Sequence, residues 1–171
     1  MNVFAGEYKR YKSLLENAVE QVSEKDMFKQ TGENDNSIAI LLKHISGNFL
    51  SRFTDFLTSD GEKVWRDRES EFDVSKTTRA ELVETWDNAW SVLESSVFSL
   101  SREDMDRTVT IRGVQFTVEE ALARSLSAFS FHVGQIIYLA KHFAGKKWRY
   151  LSIPPGGTAE YNKNPTRERS T

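Results

Sequence analysis

The chain has 171 residues, 39% hydrophobic and 28% charged, enough to bury the core of one domain. A formal charge of -2 supplies no basic field for a phosphate backbone, which argues against nucleic acid as a partner. With no cysteine, disulfides, thiolate metal sites and cysteine nucleophiles are excluded, so soft-metal chemistry would have to use nitrogen and oxygen ligands. The N-terminus has no long apolar stretch before its charges, and no run approaches the roughly 20 residues that span a bilayer. The expectation is a cytoplasmic protein without a membrane partner.

Four segments carry helical periodicity. The first runs from about Phe4 to Met27 with Tyr8, Tyr11, Leu14, Leu15, Ala18 and Val22 on one stripe. Its Tyr8-Lys-Arg-Tyr-Lys run reads as a solvated face. The second follows the turn-rich Thr31–Ser37 segment and places Ile38, Leu41, Ile45, Phe49, Phe53 and Phe56 on one face, up to Ser59-Asp-Gly. Roughly twenty residues, Ser59 to Lys76, then separate it from the third, a connection long enough to be functional or independently packed. Within that connection, Arg66 and Arg68 alternate with Asp67, Glu69 and Glu71. Such a run either clamps an anion or, as the preferred reading, neutralises itself in a solvated loop pinned by Trp65 and Phe72.

The third helix should start at Thr77-Thr78, where Glu81 stands three residues after Thr78 as in a capping box. It continues through Leu82, Trp86, Trp90, Leu93 and Val97. Arg107–Thr117 alternates polar and apolar residues around Gly113, a signal too weak to predict a sheet. The fourth helix starts at Thr117 and carries Leu122, Leu126, Phe129, Val133, Ile136 and Ala140 before Gly145 stops it. After Trp148 the chain turns polar. The expected layout is a helical bundle over residues 1–150 and an extended or disordered tail over 151–171, the whole all-α.

Two histidines stand beside these apolar stripes, His44 on the second helix and His132 on the fourth. Residues four apart stack on one helical stripe, so His44, Asn48 and Arg52 form a polar line. Unpaired polar groups facing a core cost roughly 1–3 kcal/mol each, so the line should border a pocket or find partners such as Asp55. On the fourth helix Ser125 and Ala128 leave room above His132, with Gln135 to one side. Imidazoles aimed from two helices at one point suit zinc or nickel. Each histidine taken alone reads equally as a core-edge imidazole bonded to a neighbour. His142 lies ten helical residues beyond His132, about 15 Å along the axis, and belongs to the surface.

The phrases Phe53-Thr-Asp-Phe-Leu-Thr-Ser-Asp-Gly-Glu-Lys-Val-Trp-Arg-Asp-Arg, Thr110-Ile-Arg-Gly and Phe131-His-Val-Gly-Gln-Ile-Ile-Tyr-Leu resemble the DinB-like superfamily, in a branch of unknown function, over about Ser37 to Pro155. The resemblance implies a four-helix bundle in up-down-down-up order, with a long crossover between helices two and three, and frequently a homodimer. It also implies three histidines around a divalent metal, one on the second helix and two on the fourth spaced His-x-x-x-His. His44 matches the first and His132 the last, but Ala128 stands at the middle position. The metal site is therefore incomplete, and a divalent metal, zinc or nickel, is expected to be weakly held or absent. Some members are metal-dependent transferases or isomerases that use thiols. The alternatives are thus a metal-dependent thiol transferase with His44 and His132 as ligands, or a metal-free protein that binds a small molecule or a partner through Asn48, Arg52 and Gln135, in a pocket between helices two and four.

Overall fold

A computed structural model describes residues 3–166. The described residues are mostly helical: α1 (Val3–Val19), α2 (Glu24–Met27), α3 (Ile38–Phe53), α4 (Arg79–Val97), α5 (Val118–Ala144) and α6 (Thr158–Tyr161), with strands β1 (Thr108–Ile111) and β2 (Val114–Thr117) before α5. The four long helices share one core, α3 packing chiefly on α4, α1 on α5, and α3 also on α5. At its centre Tyr8, Phe49, Phe53, Trp86 and Phe129 interlock, the Phe49 and Phe129 rings at 5.0 Å and the Tyr8 and Phe129 rings stacked at 6.0 Å. Among the described residues no helix is long and apolar enough to cross a membrane.

The helix starts follow local chemistry. Ser37 accepts from the Ile40 amide, and Thr78 with Glu81 and Thr117 with Glu120 each form a full capping box, satisfying otherwise orphaned amides. Two helix ends differ from the sequence expectation. The first helix stops at Val19 because Ser23 caps a separate short turn, while the Arg79 guanidinium donates to the Val19 and Val22 carbonyls at 2.9 and 2.7 Å. The second stops at Phe53, with Asp55 at φ 49°, although Phe56 is still buried beyond it.

The sheet that alternation was too weak to predict is present. β1 and β2 pair antiparallel in the register Val109 to Phe116, and the turn places Arg112 at φ 54° and Gly113 at φ 74°. Two consecutive positive φ values match the twist of a tight hairpin, which is what the glycine supplies. The Asp60 carboxylate accepts from the amides of Glu62, Arg112 and Gly113 at 2.7, 2.8 and 2.8 Å, and the Gly61 amide donates to Thr110 at 2.7 Å. These bonds, led by that from Gly113, hold the Asp60 carboxyl below its usual range. The crossover's start is thereby fastened to the hairpin's turn.

The start of the tail rests on its own chain. Trp148 and Leu151 pack against the core, Tyr150 is half exposed, and Thr158–Tyr161 forms a helical turn. The expected tail also covers residues 167–171, which lie outside the described ones.

Candidate functional site

His44 and His132 face each other between α3 and α5, ring centroids 5.2 Å apart and edge to face. With Asn48, Ala128 and the Phe49 and Phe129 rings they line a cavity of about 40 Å3. That leaves room for an ion or for one to a few waters, each needing roughly 10–15 Å3 of such space.

Each imidazole is oriented through Nδ1. His44 Nδ1 lies 2.7 Å from Glu71 Oε2, and His132 Nδ1 lies 3.2 Å from Gln135 Oε1. Both partners are acceptor oxygens, so each Nδ1 carries the proton and each Nε2 is the uncommitted nitrogen. Burial, outweighing the bond to Gln135 and aided by the neighbouring His44, pushes the His132 imidazole below its ordinary value and keeps it neutral as a proton acceptor or ligand.

Glu71 is the residue that sequence reading missed. It is buried at 5% exposure in a 3-10 turn, Glu69–Phe72, of the crossover. Arg66, itself buried, donates from Nε to Glu71 Oε1 at 2.8 Å and from Nη2 to Oε2 at 3.1 Å, and reaches Glu62 at 3.3 Å. Burial raises the Glu71 carboxyl, but the hydrogen bonds and charges of His44 and Arg66 outweigh it and hold the group below the usual carboxylate range. A charged run expected to lie in solvent thus buries an ion pair, and Trp65, expected as an anchor, is 57% exposed. Phe72 does anchor, its ring 5.4 Å from that of His44. Gly47 on α3 makes the arrangement possible: a Cβ built there would overlap Glu71 Oε1 and stand 2.7 Å from Cδ.

Of the other expected site residues, Asn48 lines the cavity, and Gln135 reaches it only through His132. Arg52 lies elsewhere. Its side chain packs on Gly61, its Nε is buried with no hydrogen-bond partner, and burial lowers its affinity for its proton. Tyr8 Oη and Ser125 Oγ are likewise buried and have each other as side-chain neighbours for a polar contact. His142 is exposed.

A family model described as "Protein of unknown function (DUF1572)" matches residues 1–157. The chain belongs to this family. No curated protein and no solved structure matches it. In this DUF1572 chain the test of a metal is the donor set. Two imidazoles with free Nε2 atoms are suited to zinc or nickel, yet among the described residues no group of three His, Asp or Glu side chains is placed to hold an ion. The carboxylate nearest the pair is occupied by Arg66 and by His44 Nδ1. Zinc takes four protein ligands in structural sites and about three in catalytic ones, of which His44 and His132 supply two.

Proposed function

We propose that this DUF1572 protein is a DinB-like four-helix bundle, up-down-down-up, whose centre is the His44–His132 pair acting as an open two-imidazole site. The observation that carries this reading is the pairing of each Nδ1 with an oxygen acceptor, which leaves both Nε2 atoms uncommitted beside a small cavity. A carboxylate behind an imidazole is the arrangement that fixes tautomer and ring orientation in histidine sites. Glu71, braced by Arg66, supplies it for His44. The pair then serves as a proton acceptor toward a small-molecule or thiol ligand and takes a divalent cation only weakly. A metal-dependent thiol transferase would require a third protein ligand, and the position one turn before His132 is Ala128, which lines the same cavity.

The test is calorimetry with zinc and nickel on tag-free, chelator-stripped protein. Weak, sub-stoichiometric binding is expected in the wild type. Ala128→His should raise affinity by at least about tenfold at neutral pH, the size of effect that even an outlying partner of a metal site carries. His44→Ala in that background should remove the gain, and tight one-to-one binding by the wild type would refute the reading. A homodimer belongs to the same proposal. Val64 and Trp65 of the crossover and Val114 of the hairpin are exposed apolar residues available to a second copy, and light scattering reads the mass.

A further inference from the structure

Gln135, whose side-chain oxygen holds His132, also lines a larger opening of about 610 Å3 between the Thr31–Asn36 loop and α5. Its size falls within the ~300–1,000 Å3 of small-molecule pockets. Two large rings edge it without being covered: Phe131 at 63% and Tyr138 at 75% exposure. They stand two turns apart on α5, about 10 Å along the axis. At that spacing one small ligand seated over the intervening turn can touch both side chains, and aromatic rings are groups that attract cations.

Gly134 lies between those rings. A Cβ built there meets nothing within 4 Å. Glycine inside a helix destabilises it relative to alanine, and no contact of Gly134 within the described residues requires the missing side chain. The space above it is open to something outside the chain. The lining carries one carboxylate, Asp35, and neither lysine nor arginine. Thr31 donates its hydroxyl to that carboxylate, and the Gln30 amide holds the Asp35 carbonyl at 2.8 Å. Lys29 and Lys141, on the adjoining segments, are laid over the Phe143 and Tyr150 rings. An anion would meet no cation among the lining residues, whereas a cation would meet a carboxylate and two exposed aromatic side chains.

We propose that this groove binds a small organic cation of the alkyl- or quaternary-ammonium class, with Asp35 as counter-ion, Phe131 and Tyr138 as ring faces and Gly134 as the floor. The proposal is independent of metal binding at the histidine pair. The experiment titrates choline into chelator-stripped full-length protein, followed by amide NMR shifts and calorimetry. Comparators are the neutral isostere of choline, with tert-butyl in place of trimethylammonium, and inorganic phosphate. Choline should shift the Gly134 and Asn34–Asn36 amides and bind about tenfold more tightly than the isostere, phosphate should shift neither, and Asp35→Asn or Tyr138→Ala should each weaken choline by roughly twofold to fivefold. Gly134→Leu, whose side chain enters open space and adds helix propensity, should fold and lose the binding. Equal affinity for choline and its isostere overturns the proposal, as does undiminished binding by Gly134→Leu. A dimeric wild type that gives no choline shift, together with a monomeric Gly134→Leu, also overturns it and makes this face a contact between copies of the chain.

Discussion

Two glycines sit in the middle of long helices, Gly47 in α3 and Gly134 in α5, and opposite causes place them there. At Gly47 the missing side chain is replaced by the Glu71 carboxylate of the crossover, while at Gly134 nothing of the chain occupies the space. Both carry the same intrinsic helix penalty, about 1 kcal/mol relative to alanine. Only the first offsets it with a contact inside the protein. An identical residue in identical secondary structure therefore reports packing in one place and an open surface in the other.

The comparison can be broken most severely at the carboxylate itself. Glu71→Ala leaves Arg66 buried at 4% side-chain exposure without its main partner, and removing one member of a buried pair costs ~3–5 kcal/mol. Denaturant unfolding should show that loss, and His44 should lose its fixed ring orientation in NMR. A loss under 1 kcal/mol would mean that the pair contributes little.

Gly47→Ala addresses the close approach. Overpacking of roughly 1–3 kcal/mol, together with a displaced carboxylate, should outweigh the helix gain, so the variant unfolds at lower denaturant. Gly134→Ala should do the reverse and stabilise by about 0.5–1 kcal/mol. If both substitutions shift stability in the same direction, the distinction between the two glycines is wrong.

The smallest effect is a pH dependence. His132 has a lowered proton affinity in the fold, chiefly from burial. Between its folded value and the unfolded value near ~6.5, the unfolded chain binds more protons, so stability declines as pH falls through that window and levels off once the folded imidazole is protonated. The depressed Glu71 carboxyl acts lower, its stabilisation being lost as pH falls below the usual carboxylate range toward its folded value. A His132→Gln variant should lack the upper step and keep the lower one. An upper step that persists in this variant would assign it to another group.

Much of the fold is written in local signals. Thr78 with Glu81 and Thr117 with Glu120 announce helix starts that need no tertiary information, because each box satisfies amides within one turn. The His44–His132 juxtaposition was legible from stripe position together with family resemblance. What could not be read locally depends on distant partners. The hairpin's weak alternation gains support from Asp60, 53 residues before Gly113, and nothing in a self-neutral charged run distinguishes an exposed Asp67 from a buried Glu71. The available hint was Gly47, a glycine in the middle of a strongly apolar helix. Arg52 does not line the cavity of His44 and His132 because stacking four residues beyond Asn48 fixes its stripe but not its depth, and its long side chain turns to Gly61.

The Asp60 clamp has a dynamic consequence. Since one carboxylate closes both the first turn of the crossover and the hairpin's tip, neither segment can open without freeing the other. The amides of Glu62, Arg112 and Gly113 should therefore exchange with solvent as a single cooperative unit despite their separation in the chain. A protease that reaches the crossover would have to wait for the hairpin to let go.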